Sequence, residues 1–188
     1  KWQPDALIAL YKRKDVANRS FLIPFLGSYN TPEANAIFVT GFTNSNEKVR
    51  MKTANAAKNL RWKDELFKLL ASDSSQNVRN VAVKALKRFA KVDNGEISNG
   101  LALYLSDKNM VVRACAIEFM ANKKDPRGLA AISRMLTGEG FRGVGNCASF
   151  AFEYGEEGFK LLNDALKSNN SLALSIMGSS SFTYRLIK

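Results

Sequence analysis

Residues 77–89 read NVRNVAVKALKRF, a stretch that fits one amphipathic helix. Its opening Val78-Arg79 is not unique: Val49-Arg50 opens VRMKTANAAKNL, and Val112-Arg113 opens VRACAIEFM. Aligned on arginine, Arg50, Arg79, Arg113 and Arg142 stand 29, 34 and 29 residues apart. The residue before each is apolar (Val49, Val78, Val112, Phe141), and the residue three positions on is small (Thr53, Ala82, Ala116, Gly145). Ala57, Leu86 and Met120, seven positions on, continue the same helical stripe. The longer middle interval accommodates the polar loop KVDNG at 91–95.

Each of these helices follows another apolar helical stretch. The pattern predicts first helices near Asp5–Tyr11, Glu33–Phe42, Asp64–Leu70, Ile97–Leu105, Gly128–Leu136 and Glu157–Leu166. Pro4, Pro32 and Pro126 stand where a helix begins, a position proline tolerates. No segment alternates as a half-buried strand must, so the expected class is all-α. Helix pairs at a period near 30 residues cannot bury their apolar faces singly. They are expected to stack into a right-handed α-solenoid of about six antiparallel pairs. The expectation is one domain over residues 1–188, with residues 1–30 and 156–188 as irregular terminal repeats. Pro24 interrupts FLIPFLG in the first, and SIMGSSSF makes the last rich in glycine and serine.

Asp73…Val78-Arg79…Ala82…Leu86 and Asp107…Val112-Arg113…Ala116 resemble HEAT-like repeats, especially the short type of phycobilin lyase subunits. The resemblance spans roughly residues 30–155. It implies that an acidic residue in the turn meets the arginine of the second helix. Asn46 and Glu47 stand before Arg50, and Glu139 is nearest to Arg142, so there the chain departs from that pattern. The repeat is a scaffold carried by unrelated proteins and implies little about activity.

Composition narrows the chemistry. The 188 residues contain no histidine and two cysteines. That removes the usual general base, every Ser-His or Cys-His pair, and a four-ligand zinc site. No cofactor or metal is expected, and none of these residues is read as catalytic. Two cysteines make no disulfide framework, which points to a reducing compartment, read here as the cytoplasm. Cys115 and Cys147 are expected to be buried thiols, with a disulfide between them left open. No apolar run approaches transmembrane length. The first residues are Lys1-Trp2 rather than methionine, which suggests a processed or truncated chain.

The net charge of +11 is unevenly spread. Residues 1–94 hold 17 Lys/Arg against 8 Asp/Glu, residues 95–188 hold 11 against 9, and Lys48–Lys91 alone holds 12 against 3. Lys58, Arg61 and Lys63 close one second helix, and Lys84, Lys87, Arg88 and Lys91 close the next. Lys123, Lys124 and Arg127 sit at the corresponding end of a third. Cations there complement the helix dipole, worth ~0.3–1 kcal/mol each. The scarcity of acids between them points further, to a ridge that faces a macromolecule. Trp62 inside the cluster is a candidate for stacking on a base or for packing on the next repeat. Trp2 is read as part of a cap. Arg50, Arg79, Arg113 and Arg142 are read as structural, tying turns to the stack.

Two motifs carry less. GEGFRG, with Gly138, Gly140 and Gly143, matches Gly-x-Gly-x-x-Gly but lacks the preceding strand; with Gly145 it is read as a weak helix start or tight contact. Phe141, Phe150, Phe152, Tyr154 and Phe159 are expected to fill the core of the fifth repeat, any exposed part being a docking patch. The reading is therefore a non-enzymatic scaffold whose basic surface meets a protein, an acidic one being the natural match. Nucleic-acid binding is the alternative. DNA glycosylases that excise alkylated bases on a HEAT-like fold use a catalytic Asp beside tryptophans, and RWKDE around Trp62 and Asp64 only faintly echoes that. A bilin-attaching subunit is a third reading, carried by the repeat alone.

Overall fold

The computed structural model describes residues 3–13, 19–27, 29–137 and 147–168. Arg142, Phe141, Trp2 and Gly138, Gly140, Gly143 and Gly145 lie outside them, as does the side chain of Cys147 on which the disulfide question turns. Among the described residues there are eleven α-helices and no strand. None of these helices is long and apolar enough to cross a membrane. The chain divides between Phe89 and Ala90 into two compact units.

The first unit holds α1 (Pro4–Lys12), α2 (Ile23–Leu26), α3 (Pro32–Phe42), α4 (Glu47–Ala56), α5 (Lys63–Ser72) and α6 (Gln76–Lys87). Short 3₁₀ turns at Arg19–Leu22 and Leu60–Trp62 lead into α2 and α5. Pro4 and Pro32 occupy first turns, and so does Pro24, which starts α2 rather than interrupting it. Helix α6 packs on α5 and α4, and α4 on α3 and α2. The core is built from Ile23, Leu26, Phe38, Leu66 and Leu86, all essentially inaccessible. Burying one such leucine contributes ~1.5–3 kcal/mol. The small residue after arginine has a visible purpose: a Cβ on Gly41 of α3 would collide with Thr53 of α4. Ala82 and Ala116, at the equivalent positions, are likewise fully buried.

The second unit holds α7 (Glu96–Ala102), α8 (Met110–Lys123), α9 (Pro126–Leu136), α10 (Cys147–Ala151) and α11 (Glu156–Ser168). Helix α8 packs on α7, α9 and α10, and α9 on α11. Ile117, Phe119, Met120, Ile132 and Leu136 form its core, with Cys115 buried beside them. Helix α7 stops at Ala102, three residues before the predicted end. The amides of Tyr104 and Leu105 bond back three residues instead of four, and this tighter turn leaves Leu103 83% exposed. The aromatic run does not fill the core: Phe159 is 53% exposed, and Phe150, Phe152 and Tyr154 are half-buried.

Candidate functional site

Three arginines enter their helices in one way. Arg50, Arg79 and Arg113 each donate from Nη1 to the carbonyl six residues back, of Asn44, Asp73 and Asp107. The side chains of those same residues accept the amide two positions on, of Asn46, Ser75 and Asn109, closing a side-chain turn. Asn46, Ser75 and Asn109 are in turn the N-caps of α4, α6 and α8, receiving Lys48, Val78 and Val111 amides. The constant acceptor for the arginine is thus a backbone oxygen, which any residue supplies. That is why Asn44 serves before Arg50 as Asp73 does before Arg79.

The Asp73 carboxylate has a different partner from the one the resemblance implies. Arg50 holds it from the preceding helix of the same class, Nε to Oδ2 at 2.7 Å and Nη2 to Oδ1 at 2.9 Å. The pair is largely enclosed, its side chains 13% and 4% exposed. Burial pushes the Asp73 carboxyl up, but the Arg50 bond, the Ser75 amide and the Arg50 and Arg79 charges outweigh it. Asp73 is held below the ordinary carboxylate range. Its bond in turn raises Arg50.

Further bonds tie α4 to α6 at both ends. Asn77 donates to Glu47 at 3.0 Å near their N-termini. Arg88, just past α6, donates to the Asn55 carbonyl in the last turn of α4 at 3.0 Å. The two helices therefore run side by side in one direction, and their C-terminal ends meet. Elsewhere in the first unit Arg61 reaches the Tyr29 carbonyl and Lys52 reaches Ser20. In the second, Lys123 reaches the Asp93 carbonyl, Arg127 reaches Asn99, and the Tyr154 hydroxyl reaches the Asp125 carbonyl. These partners are 28 to 33 residues apart, one period of the sequence.

This geometry sorts the basic cluster. Trp62 is 6% exposed, stacked on Phe38 at 5.3 Å and tilted on Phe42 at 5.7 Å. Its ring faces belong to the core of the first unit, so it offers no platform to a partner, and as a contact residue it is withdrawn. Arg61 lies over that ring at 4.9 Å and caps Tyr29, a structural duty. Lys63 is paired with Asp64 at 3.0 Å and adds no net charge. Arg88 is exposed but committed to Asn55. Lys58 and Lys84 are exposed with no ion pair among the described residues, and Lys87 is half-buried beside Arg88. Lys91 is exposed in the second unit, as are Lys123 and Lys124; Arg127 there is paired with Asp125 at 2.6 Å. Sequence reasoning missed Asn55, the acceptor that brings the two C-terminal ends together; its 33-residue offset from Arg88 was the available signal. Among the described residues no group of acidic, cysteine or histidine side chains could hold a metal ion. No protein-family model matches the chain, and no curated protein is significantly similar to it.

Proposed function

We propose that the chain is a HEAT-like scaffold without catalytic machinery, its antiparallel helix pairs continuing as a right-handed solenoid. The basic C-terminal edge of α4 and α6 would be its docking surface for an acidic protein. The one-period hydrogen bonds and the parallel run of α4 and α6 support the repeat reading. The observation that carries the docking surface is the Arg88–Asn55 bond. It draws the end of α4, with Lys58 three residues past Asn55, to the end of α6 that carries Lys84 and Lys87. Arg88 there is absorbed by a carbonyl, while Lys58 and Lys84 are left as hydrated point charges, which suit carboxylates without a fixed geometry. Nucleic acid is the weaker reading, since the aromatic that would stack on bases is buried.

The test is fluorescence anisotropy with a labelled Glu/Asp-rich peptide and, separately, a short duplex DNA, over a range of salt. The peptide is expected to bind at low salt and weaken as salt rises. Lys58→Glu with Lys84→Glu should cost about tenfold or more in affinity without changing the melting temperature by more than a few degrees. Equal binding by that variant, or none at low salt, overturns the reading. Tight DNA binding without peptide binding replaces the partner by nucleic acid.

A further inference from the structure

The second unit carries a surface of opposite character. Helices α9 and α11 pack together and leave between them an open groove of about 450 Å³. One wall is the α9 stripe Pro126, Leu129, Ala130 and Ser133; the other is the α11 stripe Glu157, Lys160, Leu161 and Asp164. Both follow the i, i+3, i+4, i+7 spacing of a single helix face, so two full turns of each helix line the groove. The α9 wall is small and apolar. The α11 wall adds Leu161 at its base and exposes Glu157 and Asp164, one charge more than Lys160 offsets. Upstream, the exposed Glu156 adds to the acidity of this end. Arg134 of α9 is exposed but does not line the groove.

We infer that this groove receives a basic amphipathic helix from a partner protein, its apolar face against α9 and its lysines or arginines along Glu157 and Asp164. A trough between two packed helices is shaped for a third helix, and the small side chains of Ala130 and Ser133 let a backbone come close. The charge sets the occupant: in a chain of net +11 this lip presents an acidic excess, and a cationic face is its complement. The first unit supplies a built-in contrast. Its α5 repeats the same pattern as Glu65, Lys68, Leu69 and Ser72, lining a groove of about 540 Å³. There Ser72 stands where α11 has Asp164, and the Asp73 charge at its end is taken by Arg50. That groove has no acidic excess.

The probe is a fluorescein-labelled synthetic helix of leucine and lysine, titrated into the full chain at low and raised salt. It is expected to bind, and Glu157→Lys with Asp164→Lys should weaken it by about tenfold or more. Ala130→Arg, at an exposed position that tolerates substitution, should weaken it similarly by blocking the apolar wall. Glu65→Lys should leave it unchanged, as should Lys58→Glu with Lys84→Glu, which separates this groove from the basic edge of the first unit. Absence of binding at low salt overturns the inference. So does binding that survives Glu157→Lys with Asp164→Lys, or that falls as much with Glu65→Lys.

Discussion

The two ends of the α4–α6 pair carry arginine and lysine in different balance, with an acid beside the lysine at one end only. At the N-terminal end the arginines are consumed inside the protein, Arg50 by Asp73 and two carbonyls, Arg79 by the Asp73 carbonyl and Gln76, and the exposed Lys48 stands beside Glu47. The turns there present exposed neutral residues, among them Ser45, Asn46 and Ser74. At the C-terminal end Arg61 and Arg88 again serve carbonyls, but Lys58 and Lys84 remain in water. Arginine has a planar fork that satisfies several acceptors at fixed geometry, so it builds the stack; lysine is a mobile, strongly hydrated charge, so it is left for whatever approaches. A count of basic residues merges these roles, and the structure separates them.

The sharpest way to break this contrast is to remove Asp73. Asp73→Ala leaves Arg50 mostly enclosed without its carboxylate and should cost about 2–3 kcal/mol in urea unfolding at neutral pH. Because the folded-state value of Asp73 lies below its unfolded one, the carboxylate stabilises fully above roughly pH 4. That contribution fades as pH falls through the lower folded value. The gap between wild type and variant should therefore narrow in acid. A gap near zero at pH 7 would mean that the N-terminal end is not structurally more important than the other.

Arg88→Ala tests the opposite end and should cost less, about 0.5–1 kcal/mol by the same measurement, because the bond to Asn55 is exposed to solvent. A loss as large as that of Asp73→Ala would make the C-terminal edge architectural rather than a surface. The smallest effect belongs to Lys84→Ala, expected within ~0.5 kcal/mol of wild type. A larger destabilisation would show that this lysine has a role in the fold and would remove it from the docking surface.

Much of the helical layout was legible in sequence because it depends on short spacings. The Val-Arg openings, the small residue three places on and the prolines at Pro4, Pro32 and Pro126 are local signals, and they mark α1, α3, α4, α6, α8 and α9 within a few residues. A further local signal went unread: an Asp or Asn six residues before each arginine and a capping Asn or Ser four before. Asn44 and Asn46, Asp73 and Ser75, and Asp107 and Asn109 make that pattern, in which Asn serves as well as Asp. The over-extension of α7 to Leu105 has a local origin too, since an apolar stripe cannot distinguish a helical turn from the tighter 3₁₀ turn that follows it.

Sequence by itself determined the helices, their period, the absence of histidine chemistry and the placing of cations at helix ends, all properties of single segments. Tertiary structure decided which groups those segments bring together. It gave the Asp73 carboxylate to Arg50 rather than to Arg79, closed Phe38 and Phe42 over Trp62, joined Arg88 to Asn55, and opened a groove with an acidic lip between α9 and α11. The physical reason is distance along the chain. Helix propensity and capping act over a few residues, whereas a carboxylate 23 residues away or a carbonyl 33 away becomes a neighbour only when whole helices pack.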